Sequence, residues 1–149
     1  MIAARANMGA MSTYVVGTDG SETAALATRR AAELARATGA RLHIVSAYTG
    51  RGTTTIGSGS ETMLMSNLGS AEQIAEQEAA AFRAEGLDAV ATIREGKPAD
   101  VLLDTARDVD AELIIVGNRR MQGVTRVLGA IANEIVHRAP CDVLLVKTT

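Results

Sequence analysis

The chain has few aromatic side chains: among its 149 residues there is no Trp, one Phe and two Tyr. Aromatic rings are the surfaces on which many proteins stack nucleobases. The sequence therefore lacks the residues for a base-stacking platform. We expect a core of Ala, Val, Leu and Ile instead.

Cysteine and histidine are equally scarce, with one Cys (Cys141) and two His in the whole sequence. A single cysteine cannot form an intramolecular disulfide, and three such ligands cannot build a structural zinc site with the usual spacings. The sequence therefore predicts a protein of the reducing cytoplasm without a metal site.

An excess of positive charge and long apolar runs are also absent. Fifteen Lys and Arg against seventeen Asp and Glu leave a formal charge of −2. Binding to nucleic acid or to anionic lipid normally depends on a basic field, and no run reaches membrane-spanning length. We expect neither nucleic acid nor a membrane as a partner.

The remaining composition is that of one folded domain, since 47% of the residues are hydrophobic and 21% are charged. Residues 1–10 carry no periodic pattern and no signal-peptide core, so we expect an N-terminal extension that is disordered. Periodic structure begins after Met11. Residues 11–149 are therefore predicted to form the domain.

Apolar runs and helical stripes alternate along this domain. The predicted strands cover residues 14–16, 42–47, 90–93, 113–116 and 143–146, and the predicted helices cover residues 22–38, 71–85, 98–109 and 129–138. Residues 49–69, rich in Gly, Thr and Ser, are interpreted as a long loop, with Ser70 and Gln73 as the capping box of the next helix. Such alternation predicts a parallel sheet with helices on both faces and a ligand at the carboxyl ends of the strands.

The loop after the fourth strand is a candidate anion site. Gly117 and Gly129 would let backbone N–H groups approach a phosphate, and Gly129 opens a helix with a positively polarised N-terminus. Arg119, Arg120 and Arg126 add guanidinium groups that can hold a phosphate. The alternative is that the two glycines only end a strand and start a helix, while the arginines form a solvated face.

Several segments in this order and spacing resemble the universal stress protein family, over nearly the whole chain from Met11. They are VVGTDGS at 15–21, GKPA at 96–99, VGNRR at 116–120, VLGA at 127–130 and APCDVLLV at 139–146. The resemblance implies a three-layer α/β sandwich whose five-stranded parallel sheet has the order 3-2-1-4-5. It also implies a cleft between strands 1 and 4.

The function that this resemblance implies is that of a small stress-response regulator binding an adenine nucleotide (ATP, AMP or cyclic AMP). In the family, the residue at Asp19 contacts the ribose or adenine side, and the backbone at Ala47 meets adenine. The implied nucleotide-binding residues are Gly17, Thr18, Asp19, Ala47, Val116, Gly117, Arg119, Arg120, Gly129, Ala130 and Ile131. An alternative role for Asp19 is to cap the first helix, with Glu22 completing a capping box.

The late loop departs from the pattern of the family's ATP-binding members. Arg120 stands where a glycine belongs, and Ala130 stands where a Ser or Thr belongs. Because the triphosphate depends most on this loop, we expect smaller phosphates to bind as well as ATP.

No catalytic residue is predicted, since no carboxylate pair is visible and neither His43 nor His137 has an identifiable nucleophile beside it. The chain is therefore predicted not to be an enzyme.

The last strand, which begins at Val143 and ends at Val146, is predicted to lie at an apolar edge of the sheet. Such edges are normally paired or covered. Family members commonly dimerise by pairing this strand antiparallel across a two-fold axis, so we expect a homodimer through it. The alternative function is a nucleotide-independent dimer that acts through protein contacts.

Overall fold

The computed structural model describes residues 11–49, 60–118 and 129–148, and for residues 60–67 it describes only the course of the backbone. The strands in these ranges are β1 (Thr13–Gly17), β2 (Arg41–Tyr48), β3 (Ala89–Glu95), β4 (Leu113–Asn118) and β5 (Asp142–Lys147), and the helices are α1 (Glu22–Thr38), α2 (Ser60–Ala84), α3 (Pro98–Asp108) and α4 (Ala130–Arg138). The predicted extension at residues 1–10 and the predicted site residues Arg119 and Arg120 lie outside the described residues.

The five strands form one parallel sheet of order β3-β2-β1-β4-β5, which confirms the predicted fold class and strand order. β1 lies in the middle, where Val15 pairs with His43 of β2 on one side and with Ile114 of β4 on the other. Parallel strands need crossover connections, and here the helices provide them. The chain therefore adds β2 and β3 on one side of β1 before it adds β4 and β5 on the other side.

Helices cover both faces of the sheet, and successive side chains of β1 pack against different helices. Tyr14 and Val16 pack with residues of α1 and α2, whereas Val15 packs with residues of α3 and α4. Successive side chains of a strand point to opposite faces, so one short strand contributes to both cores. On α1 the contact surface is formed by small residues such as Ala31 and Ala35, both 0% exposed. Alanine side chains let this helix lie close to the sheet.

One prediction is wrong for the second helix. The segment interpreted as a loop through residue 69 is helical from Ser60, so Ser70 and Gln73 lie inside α2 and form no capping box. Between residues 60 and 69 the sequence has one glycine and no proline, and a single internal Gly costs a helix only about 1 kcal/mol. Four of the five glycines in residues 49–69 lie before Ser60, whereas the Ser and Thr residues continue into the helix.

Candidate functional site

A cavity of about 200 Å³ opens at the carboxyl ends of β1 and β4. These strands are neighbours at the centre of the sheet, but the chain leaves β1 toward α1 on one face and continues from β4 to α4 on the other. Such divergence leaves a crevice, which is where ligands bind in open α/β sheets. The cavity therefore lies where the sequence predicts a site.

The residues that line the cavity form two sets of different chemistry, a polar wall and an apolar wall. One wall is polar and consists of Thr18, Asp19, Ser21, Thr23 and Thr148. The other is apolar and is formed by β2, β4 and the first turns of α3 and α4, with side chains from Val45, Ala47, Pro98, Val101, Leu102, Ile115, Val116 and Ile131. A ligand with one apolar face and one hydrogen-bonding face matches this division.

The loop after β1 builds the polar wall. The Asp19 carboxylate accepts a hydrogen bond from the Ser21 N–H at 2.9 Å, and Gly20 between them has a φ of +83°. Ser21 is the N-cap of α1, since its hydroxyl accepts from the Ala24 N–H at 3.1 Å. The interpretation of Asp19 and Glu22 as the capping box is therefore wrong: the tight turn at Gly20 moves the start of the helix to Ser21.

Two glycines at the strand ends keep the cavity open. A Cβ added at Gly17 would stand 3.0 Å from a methyl carbon of Leu102, and one at Gly117 would stand 3.2 Å from Cγ2 of Thr148 and 3.3 Å from Cβ of Ala27. Such distances are closer than carbon atoms normally approach. A side chain at either position would therefore have to displace a neighbouring side chain, since helices on each face approach the ends of the central strands.

The end of β4 differs from the prediction. β4 continues to Asn118 instead of ending at Val116, and Asn118 is only 2% exposed. Its Oδ1 accepts a hydrogen bond from the Gly129 N–H at 3.2 Å, where Gly129 caps α4. An N–H group that the sequence offers to a phosphate is therefore already bound to Asn118.

The structure brings part of the predicted site together. The cavity is lined by the predicted residues Gly17, Thr18, Asp19, Ala47, Val116, Gly117 and Ile131. Gly129 and Ala130 are adjacent in sequence to Ile131 but are not among the described lining residues. That the lining residues bind a nucleotide stays a prediction, and Arg119 and Arg120 lie outside the described residues.

Sequence reasoning missed several lining residues. They are Ser21, Thr23, Ala24, Val45, Pro98, Val101, Leu102, Ile115 and Thr148. Those of α3 lie within the GKPA segment or directly after it, so the prediction that this segment starts a helix was a signal that could have found them. Thr148 had none, because only the pairing of β4 with β5 brings the end of the chain beside Gly117.

Two other potentially reactive side chains, His43 and Cys141, are not among the residues that line the cavity. Burial lowers the pKa of His43, assisted by Arg41, and its Nδ1 lies 3.2 Å from the Thr92 hydroxyl. Burial also raises the pKa of the Cys141 thiol, which favours the unreactive form. Across the described ranges, no group of three or more His, Cys, Asp or Glu side chains is placed to hold a metal ion. None of the helices within them is long and apolar enough to cross a bilayer.

Comparison with known proteins decides the family. The model of the universal stress protein family matches residues 11–147. The chain belongs to the universal stress protein family. This confirms the resemblance found in the sequence motifs.

Individual relatives agree with this assignment. A universal stress protein of Mycobacterium tuberculosis is 32% identical over 149 residues, covering 95% of this chain and 100% of that protein. One of Methanothermobacter thermautotrophicus is 36% identical over 58 residues, which span 39% of this chain and 40% of that protein. A crystal structure of a universal stress protein in complex with cAMP superposes with a TM-score of 0.74, at 31% identity over 95% of this chain and 100% of that chain.

Proposed function

We propose that this member of the universal stress protein family binds an adenine nucleotide in the cavity between β1 and β4, and acts as a cytoplasmic stress-response regulator without catalysing a reaction. The observation that carries the proposal is that polar and apolar side chains together line one cavity at the switch point of the sheet. The related structure that holds cAMP supports the ligand class.

Each part of a nucleotide has a matching surface here. The purine base would lie against the apolar wall at Ala47 and Val101, and the ribose hydroxyls would meet the Asp19 carboxylate. A phosphate would lie toward the first turn of α1, where the hydroxyls of Ser21 and Thr23 line the cavity. Helix N-termini favour anions because their backbone N–H groups are unpaired and the helix dipole is positive there.

The geometry favours a nucleotide with one phosphate over a triphosphate. The Gly129 N–H is bound to Asn118, and Ala130 brings no hydroxyl to the start of α4. The contacts that would hold a second and third phosphate are therefore reduced.

Calorimetric titration of the purified protein with cAMP, AMP and ATP tests this function. We expect at least one of the three to bind with a micromolar dissociation constant, and ATP to bind no more tightly than cAMP or AMP. Thr23→Glu should abolish binding, because it adds a carboxylate to the first turn of α1, where the phosphate is proposed to lie. Ala80→Glu on the exposed side of α2 adds the same charge far from the cavity and is the matched control.

Absence of heat with all three nucleotides, together with unchanged melting temperatures at millimolar nucleotide, would contradict the proposal. The result would favour the second candidate function, a dimer that acts through protein contacts. One observation supports such a dimer. All four central residues of the edge strand β5, from Val143 to Val146, are apolar and only partly buried, whereas the opposite edge strand β3 ends in the charged pair Arg94 and Glu95.

We propose that β5 pairs antiparallel with β5 of a second copy across a two-fold axis. This would pair the exposed backbone N–H and C=O groups of both edge strands with each other. Sedimentation at micromolar concentration should then give the mass of a dimer. Leu145→Glu should produce a monomer, whereas Ile93→Glu, an equally partly buried position on the other edge strand, should remain dimeric. A wild-type protein that sediments as a monomer would refute this interface.

A further inference from the structure

Glu78 of α2 contacts the cavity loop from outside the cavity. The Thr18 hydroxyl donates a hydrogen bond of 2.9 Å to Oε2 of Glu78. Thr18 itself is 8% exposed and belongs to the polar wall. A carboxylate on the second helix is therefore bound to a residue that lines the site, although the two are sixty positions apart in the sequence.

The Thr18 hydroxyl both donates and accepts a hydrogen bond and so links Glu78 to the loop after β1. Its oxygen accepts the Gly20 N–H at 3.2 Å, and the Thr18 N–H donates to the Val45 carbonyl at 2.9 Å. A hydroxyl has one proton to donate. Because that proton goes to Glu78, the Thr18 hydroxyl has none left for a ligand, and its contribution to the site is to hold the turn.

A second contact from α2 restricts the same turn. Gly20 has a φ of +83°, and Cδ1 of Ile74 stands 2.8 Å from the position that a Cβ on Gly20 would take. Ile74 lies one turn before Glu78 on the same face of α2. Helix α2 thus holds the turn of residues 18–20 by one polar and one apolar contact.

The Glu78 carboxylate is not expected to increase the stability of the fold. Its second oxygen, Oε1, is buried and has no hydrogen-bond partner among the residues that the structure describes. A buried carboxylate oxygen without a partner lowers stability, and an apolar side chain of similar size is often neutral or stabilising at such a position. Stability alone therefore does not account for a carboxylate here.

We infer that Glu78 is a positioning residue for the nucleotide site, an inference that rests on the function proposed above. By accepting the Thr18 hydroxyl, Glu78 holds that hydroxyl where it can accept the Gly20 N–H, and this keeps the turn in its left-handed form. The turn in turn places the Asp19 carboxylate on the polar wall. Helix α2 thereby sets the affinity of a site that it does not line.

The test uses four single variants and one double variant of the full chain, titrated with cAMP and compared by amide hydrogen exchange without nucleotide. Glu78→Leu and Thr18→Val each remove the hydrogen bond with little change of shape. We expect both to weaken cAMP binding by roughly 5- to 20-fold and to speed exchange of the Gly20 N–H, while the melting temperature stays the same or rises for Glu78→Leu. Glu78→Gln and Thr18→Ser keep an acceptor and a hydroxyl, and both should bind cAMP within about twofold of wild type.

The double variant Glu78→Leu with Thr18→Val should bind no more weakly than Thr18→Val alone, because Thr18→Val already removes the bond to Glu78 together with the acceptor of the Gly20 N–H. Unchanged cAMP affinity and unchanged Gly20 exchange in Glu78→Leu would overturn the inference. Equal losses in Glu78→Gln and Glu78→Leu would also overturn it, since an acceptor would then not matter. If Glu78→Leu does not fold, Thr18→Val decides by the same two readouts. A wild-type protein that binds none of cAMP, AMP and ATP would refute the proposed function instead, and the exchange of Gly20 would then show separately whether Glu78 holds the turn. If AMP or ATP binds and cAMP does not, the nucleotide that binds replaces cAMP in these titrations.

Discussion

The two ends of the strands use glycine for different reasons. At the carboxyl ends, Gly17 and Gly117 have no left-handed backbone, but a Cβ would meet another side chain within 3.0 to 3.2 Å. At the amino ends, Gly39 and Gly86 precede β2 and β3 with φ values of 77° and 93°, and no described atom lies within 4 Å of an added Cβ. Crowding therefore disfavours a side chain at Gly17 and Gly117, whereas backbone conformation favours glycine at Gly39 and Gly86. At the cavity end the left-handed backbone is confined to the loops, as at Gly20 with its φ of +83°.

The largest expected effect comes from filling the cavity at the carboxyl ends. Ala47→Phe would place a ring in the apolar wall where the base should lie, so we expect nucleotide affinity to fall by roughly 100-fold or more. The melting temperature should hold, because the side chain enters existing space. Ala37→Phe, at an exposed position near the amino ends, is the control and should bind as wild type does. Full binding by Ala47→Phe in calorimetry would place the nucleotide elsewhere.

Gly117→Val tests the crowding argument. The added side chain would press on Thr148 and Ala27, and such overpacking typically costs about 1–3 kcal/mol of unfolding free energy. Nucleotide affinity should fall as well, because Gly117 lines the cavity. Denaturant unfolding and calorimetry together check both effects. Unchanged stability would show that the space beside Gly117 is larger than the structure indicates.

Gly39→Ala tests the backbone argument at the amino ends. An L-residue in this left-handed conformation should cost about 1 kcal/mol of stability and leave nucleotide binding intact. Gly69 offers a matched control, since it lies inside α2 with no described atom within 4 Å of an added Cβ. There the change to Ala should raise stability by up to about 1 kcal/mol. Urea unfolding of the pair should give shifts of opposite sign; shifts of the same sign would contradict the distinction.

The smallest expected effect is a pH dependence at His43, near the amino end of β2. Burial and the charge of Arg41 lower the pKa of His43 below its usual 6.5, against a weaker opposing effect of Asp88. The unfolded chain then binds more protons, so the stability from neutral His43 is present above pH 6.5 and is lost as the pH falls through the folded pKa.

We therefore expect wild type to lose more stability than His43→Gln when the pH is lowered from about 8 to about 5. Chemical unfolding at a series of pH values measures the difference. Well above pH 6.5 His43 is neutral in both states, and the two proteins should then respond to pH in parallel. An identical acid dependence for both proteins would show that His43 does not contribute to the pH dependence of stability.

Much of the fold was predictable because its signals are local. Each strand is a short apolar run, and the helices show spacings of three and four residues that end at glycines such as Gly39. The start of α2 was missed because a Gly and several Ser and Thr residues resemble a loop by composition, while the helix tolerates them. Such errors arise where weak local preferences compete with contacts that the sequence does not display.

For the site, the sequence by itself determined which loops follow the central strands, and therefore that Gly17, Asp19 and Gly117 lie near one another. It did not determine where their polar groups point. Only the tertiary structure decided that the Gly129 N–H is bound to Asn118, that the Thr18 hydroxyl turns to Glu78 and that Thr148 closes the polar wall. Strand and helix periodicity is encoded over neighbouring residues, whereas these contacts join residues far apart in the chain and exist only once the sheet has formed and the helices have packed onto it.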